Sequence, residues 1–374
     1  MRKSTTRRGF GVRRPGLGVL LAGLAVGVGV VSLGVGASEV SWRELGEVLV
    51  GGGDAGTRLV VLELRLPRIV TGLLVGMAFA VSGALLQTLA RNPLASPDVI
   101  GVSAGASAAA VSVLVLAGSA GGVSGLVAQV GLPVAALLGG LGATALVAVL
   151  AAEWNRGPAT RRAPGDGPAG RRGAGSGFGA VVAGRVVLVG VGVSAAANSL
   201  VSWLLVVGDV NSASRAAAWL AGSLNGRSWT DAAPIAIAVA VLVPVALLFG
   251  RDLSVLVLGD DVASALGVPV PRTRAVLLAV AAGLAATATA AAGPIAFVAL
   301  VAPQVAQRLC RTDRPPLLTT AALGALLVVT ADLVARTGLE LAGVGPHELP
   351  VGVVTAACGA PYLIHLVGRR QKES

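Results

Sequence analysis

Charged and aromatic side chains are both scarce in this sequence, at 13% and 3% of 374 residues, whereas an ordinary soluble domain is about 25% charged. That shortage excludes a conventional water-soluble globule. Only two cysteines are present, Cys310 and Cys358. Each lies in or beside an apolar run without metal-like Cys/His spacing, so neither a disulfide framework nor a zinc site is indicated. The two histidines, His347 and His365, flank one apolar run at its opposite ends, unlike axial haem ligands placed at matching depth within spans. A membrane haem oxidoreductase is disfavoured on that ground. A proton-coupled secondary transporter would need a buried ionisable relay, and Asp332, its best candidate, stands nearly alone within the apolar runs. No G-x-x-x-x-G-K-[ST] phosphate loop occurs anywhere in the chain.

What is abundant is apolar length. Hydrophobic residues make up 55% of the chain, and long apolar stretches recur from Leu17 to Val367 without a polar segment large enough to fold alone. Glycine, alanine and valine dominate them, a composition suited to membrane helices whose backbones approach closely. An Ala/Val/Arg-rich coding bias contributes to the same numbers. Hydropathy gives ten spans: 17–36, 67–90, 99–118, 131–152, 186–207, 232–250, 275–292, 294–309, 317–336 and 349–367. Each approaches the roughly 20 residues that cross a bilayer and must satisfy its backbone internally, so all ten are expected to be helices. The expected class is therefore all-α, a polytopic membrane protein with one transmembrane domain over 17–367.

The net charge of +11 does not point to nucleic acid, because the basic residues lie in short loops between apolar runs. With the N-terminus inside, the segments 1–16, 153–185, 251–274, 308–314 and the tail 368–374, together with Arg91, hold 22 of the 29 basic residues. The positive-inside rule then places both termini in the cytoplasm. Thr6-Arg7-Arg8-Gly9-Phe10 before an apolar run also resembles a twin-arginine export signal, with a cleavage region near 36–38. A first span with ordinary flanking charge explains the same residues and is the reading adopted. The inner stretch 153–180 is rich in Gly, Pro and Arg and reads as a flexible loop. Outside, Ser41-Trp42-Arg43-Glu44-Leu45 reads as a capped turn of interfacial helix.

Several blocks carry more information than generic membrane sequence: Leu64-Arg65-Leu66-Pro67-Arg68; Arg91-Asn92-Pro93-Leu94-Ala95-Ser96-Pro97-Asp98 with Gly101-Val102-Ser103-Ala104-Gly105-Ala106; residues 258–269; residues 293–303; and residues 348–355 with Gly359-Ala360-Pro361. In this order they resemble the FecCD family, permease subunits of ATP-binding-cassette importers for ferric siderophores, haem and vitamin B12. The resemblance runs from the second span to the C-terminus. It implies the type II importer permease fold, a second permease subunit, identical or different, and two cytoplasmic ATPase subunits. It also implies an extracytoplasmic solute-binding protein. ATP and magnesium would belong to the ATPases, with no cofactor on this chain and no enzymatic activity of its own. The family's commonest cargo makes a ferric siderophore the expected ligand, with cobalamin or haem as alternatives.

By the same resemblance, Arg65, Arg68 and Arg336 match outer cations that pair with carboxylates of the binding protein, although interfacial arginines also commonly snorkel to headgroups. The cytoplasmic loop 251–274 contains Leu258, Gly259, Asp260, Asp261, Val262, Ala263, Leu266, Gly267 and Val268, which resemble the two short helices that rest in an ATPase cleft. Leu258, Val262, Leu266 and Val268 would fill that cleft, and the two aspartates fall near a helix start, where carboxylates are favoured. Gln87, Asn92, Ser103, Asn198 and Ser199 are polar groups in or beside spans, suited to a path lining or to helix–helix hydrogen bonds. Ala183 and Gly184 align with small hydroxyl residues at an inner gate, keeping the size without the hydroxyl. Gln304 replaces a histidine common in relatives.

Overall fold

The chain is described by a computed structural model over residues 15–36, 40–119, 131–154, 175–341, 343, 345 and 348–373. Every regular element among them is helical. The first half comprises α1 (Pro15–Gly34), α2 (Trp42–Leu49), α3 (Ala55–Arg58), α4 (Leu66–Leu89), α5 (Val102–Ser119), α6 (Leu132–Trp154) and α7 (Gly175–Val207). The second comprises α8 (Val210–Leu220), α9 (Trp229–Leu248), α10 (Gly250–Leu256), α11 (Asp260–Ala265), α12 (Val270–Ala292), α13 (Val298–Cys310), α14 (Leu317–Leu341) and α15 (Val351–Glu373).

Seven described helical stretches are long and apolar enough to cross a membrane, and Val102–Leu116 and Val351–Ile364 are shorter apolar helices. With α13 they account for the ten expected spans. Successive spans alternate in direction, so the structure has two ends. One holds the start of α4 and the end of α14; the other holds the end of α4 and the short helices α10 and α11.

Most of the loop expected over 153–180 lies outside the described residues. Helix α6 continues to Trp154 and α7 starts at Gly175, leaving 155–174 outside the described residues. The tail beyond 367 continues α15 to Glu373. The span expected at 294–309 departs most. Residues 293–297 are not helical, and α13 has only 13 residues, about 20 Å of helix. Gly293 has a positive φ and Phe297 sits at φ 67, in the left-handed region. Irregular backbone at membrane depth survives only inside protein. Here it is enclosed by glycine: a Cβ on Gly222 would lie 2.3 Å from Pro294 O, and one on Gly359 would strike the Phe297 ring at 2.4 Å.

Helix starts follow local chemistry. Ser41 and Glu44 form a capping box at α2, as the sequence predicted, and Ser228 with Asp231 forms another at α9. Asp209 caps α8 through the N–H groups of Asn211 and Ser212, and the Ser212 bond holds its carboxyl below the usual range. Before α4, Pro67 has no N–H to donate, and Leu66 N–H reaches back five residues to Val61 O. The chain from Leu59 to Arg65 accordingly winds as a π-helix, so α3 runs into α4 as one 35-residue rod, Ala55–Leu89.

That rod is the centre of the molecule. In its most apolar stretch 78% of residues are buried, against 11% for α7. The contacts are backbone to backbone: a Cβ on Gly76 would lie 2.3 Å from Gly324 O of α14, and one on Gly83 only 1.7 Å from Ala299 O of α13. Adding a single methyl group therefore forces helices apart. Gly83→Ala is expected to destabilise the protein by about 2 to 3 kcal/mol, read as a lowered unfolding temperature of the purified protein in detergent. Gly142→Ala, which meets open space, should leave it unchanged.

Candidate functional site

Two charged clusters occupy opposite ends of α4. At the first, Arg68 donates from Nε and Nη2 to Asp332 Oδ1 at 3.1 and 2.9 Å, and from Nη1 to Glu348 Oε2 at 3.0 Å. Arg336, one turn beyond Asp332 on α14, brings Nε within 3.2 Å of Asp332 Oδ2, an ion pair whose N–H is not aimed at the oxygen. Its Nη1 donates to Val35 O at 3.1 Å and its Nη2 to Ser32 Oγ. Arg65 Nη1 donates to Leu33 O at 2.6 Å. All three arginines, matched by resemblance to docking cations, have partners within the chain. Arg65 and Arg68 are buried, and the cluster ties the ends of α1, α4, α14 and the segment before α15 together. Its most open member is Glu348, with 37% of its side chain exposed.

The second cluster gathers on Asp260, the first residue of α11. Its Oδ1 accepts from Arg274 Nη2 at 2.8 Å and from Arg91 Nη2. Arg91 also donates twice to Leu256 O, at 3.2 and 2.9 Å. Behind this clamp Ala263 and Val268 are buried against Leu256 and Val270, so Val268 faces inward rather than outward as expected. Leu258, Val262 and Leu266 are exposed, at 65%, 44% and 63%, beside the exposed Asp261. Gly259 and Gly267 take positive φ at the two turns that bound α11. Val262 lies on α11 and Leu258 and Leu266 flank it, so three large apolar side chains are displayed around this short helix.

Residues 24–162 and 177–369 match the FecCD transport family. The chain belongs to the FecCD transport family. It is 38% identical over 319 residues to the ferric enterobactin transport system permease protein FepG of Escherichia coli, with 85% of each chain covered. It is 40% identical over 314 residues to the Fe(3+) dicitrate transport system permease protein FecD of the same organism, covering 83% of this chain and 85% of that one. To the cobalamin import system permease protein BtuC of Halobacterium salinarum it is 34% identical, covering 84% and 74%. A solved structure described as a metal-chelate type ABC transporter in an inward-facing conformation aligns with TM-score 0.72 and 27% identity, over 95% of this chain and 99% of that one. The protein is thus a multi-pass membrane permease.

The polar residues read as path candidates separate into two groups. Gln87 is buried and donates to Leu300 O at 3.0 Å, joining α4 to α13. Asn92 closes a turn on Leu94 N–H, and Ser103 donates to Asp98. All three serve internal contacts. Gln304 likewise donates to Pro93 O at 2.7 Å. Asn198 and Ser199, in contrast, are exposed on α7. Ser199 Oγ donates to Ala195 O at 2.9 Å, within its own helix. Ala183 and Gly184 belong to the α7 backbone, and their surroundings lie outside what is described.

Sequence reading did not identify Glu348, Ser32, Arg91 or Arg274 as members of these clusters. One signal was available, the i,i+4 spacing of Asp332 and Arg336 on a helix. Asp332 accepts from Arg68 and forms an ion pair with Arg336, both with side chains at most 10% exposed, so Asp332→Asn is expected to cost about 3 to 5 kcal/mol. Thermal unfolding should show the loss, and Glu348→Gln, at the open edge, should lose much less.

Proposed function

We propose that this chain is the permease subunit of an ATP-binding-cassette importer and forms the translocation path for a ferric-siderophore complex. The observation that carries the reading is the exposed Leu258, Val262 and Leu266 surface, held against the end of α4 in a chain of the FecCD family. An ATPase cleft is the partner that this surface fits, and ATP and magnesium then reside on two such subunits in the cytoplasm. This sets the Asp260 end inside, in the cell (inner) membrane. Both termini lie on that side, in accord with the distribution of basic residues. Asn198 and Ser199, exposed among the apolar side chains of α7, support a second permease subunit across the path.

At the other end, an extracytoplasmic binding protein delivers the ligand. Arg65, Arg68 and Arg336 are its docking cations in this reading, and their internal partners define how it engages. Carboxylates of the binding protein would enter at Glu348, the open edge of the cluster, and take over part of its role toward Arg68. The favoured cargo follows the names of relatives, which include ferric enterobactin and ferric dicitrate permeases. Cobalamin is the second reading, supported by the similarity to a cobalamin permease.

Cells lacking this chain should lose uptake of radiolabelled ferric siderophore while retaining that of labelled cobalamin; the reverse pattern would assign the second cargo. Leu258→Asp with Leu266→Asp should abolish co-purification of the ATPase subunits without lowering the unfolding temperature, since both side chains already face solvent. Full retention of the ATPases would refute this docking surface.

A further inference from the structure

The turn that ends α4 has an unusual occupant. Arg91 N–H bonds Thr88 O at 3.2 Å and Asn92 N–H bonds Gln87 O at 3.1 Å, the paired bonds of a Schellman helix end. The residue at this position takes φ 49, in the left-handed region. Glycine adopts that conformation without steric cost, whereas a side chain incurs a penalty. Backbone chemistry alone would place glycine here. An arginine in a strained position suggests that its side chain does something the turn does not require.

Its guanidinium spans the hinge between two short helices. Nε and Nη2 donate to Leu256 O, the last carbonyl of α10, where a cation complements the helix end. Nη2 also donates to Asp260 in the first turn of α11. Between these points lie Val257 to Gly259, with Gly259 at φ 121. One side chain therefore fixes the angle between α10 and α11 and joins both to α4. Arg274 holds the same carboxylate from the first turns of α12. Below the clamp, Leu89 of α4 packs on the buried face of the loop. The exposed face carries Leu258, Val262 and Leu266.

We propose that Arg91 is the positioning residue that transmits movement of the α10–α11 loop to α4. Helix α4 has 24 residues, about 36 Å of rigid rod, and its far end carries Arg68 and the four-residue ion cluster. A displacement applied at Asp260 is delivered to that cluster without passing through the lipid-facing helices. Arg91 is distinct from the apolar side chains read as the docking surface, since its side-chain bonds go to Leu256 O and Asp260. The inference rests on the reading of Leu258 to Leu266 as the ATPase surface.

The experiment uses the complete importer, reconstituted in proteoliposomes with its ATPase and binding-protein subunits, and compares Arg91→Gly, Arg91→Lys and Leu258→Asp. Uptake of radiolabelled ferric siderophore, ATP hydrolysis, ATPase co-purification and unfolding temperature are read for each. Arg91→Gly removes the guanidinium and suits the left-handed backbone, so the unfolding temperature should hold or rise and the ATPases should remain bound. Uptake per ATP hydrolysed should fall roughly tenfold. Arg91→Lys, which keeps the charge but not the fork, should fall between the two. Wild-type uptake per ATP in Arg91→Gly would overturn the inference, and so would loss of the ATPases, which would make Arg91 an assembly residue. The Leu258→Asp arm separates the underlying reading: if that variant keeps both ATPases and uptake, the surface reading fails. If it loses the ATPases while Arg91→Gly stays coupled, only the role of Arg91 fails.

Discussion

Helix α4 meets its neighbours through backbone atoms rather than side chains, and the rest of the architecture is built on that approach. Gly76 faces Gly324, and Gly83 faces the carbonyl of Ala299, at separations that leave no room for a methyl group. In hydrocarbon there is little hydrophobic gain from bringing apolar helices together, so dispersion between closely matched surfaces has to supply it. Small residues permit such matching over a long contact. A rod packed in this way moves as a unit, which makes it a suitable carrier between the two faces of a membrane.

The two shared-carboxylate clusters then sit at the two ends of α4. At one end Arg68 shares Asp332 with Arg336 and reaches Glu348; at the other Asp260 is shared by Arg91 and Arg274. The clusters differ in kind. The first is largely buried, and removing one partner leaves a desolvated charge, so it fixes the relative positions of three spans. The second is half exposed and gains less from Coulomb attraction. It holds a short helix pair whose exposed side carries Leu258, Val262 and Leu266. A largely buried cluster at one end of α4 and a more exposed clamp at the other hold their neighbouring helices with different firmness.

The break before α13 illustrates how glycine also serves irregular structure. Residues 293–297 leave the helix where Gly222, Gly352 and Gly359 allow other strands of backbone to lie against them. Ser223 N–H donates to Ala292 O, and Gly352 N–H to Gly222 O, so part of the interrupted hydrogen bonding is recovered within the protein. Periodicity read 294–309 as one ordinary span because its composition is apolar throughout; nothing in hydropathy distinguishes helix from extended chain enclosed by neighbours.

What the sequence determined by itself was local or compositional. Apolar length fixed the helical membrane class and nearly all span positions, because a backbone in lipid has few ways to satisfy its polar groups. Ser41 with Glu44 announced a helix start, and the motif blocks identified the family. The assignment of partners was decided only by tertiary structure. Arg68 and Asp332 are 264 residues apart, and Arg91 and Asp260 are 169 apart. No periodicity relates residues at such separations; their meeting depends on which helices pack together and in what register. The same packing turned Val268 inward and Leu258 outward, since a short helix lying on a larger body must bury one side and expose the other.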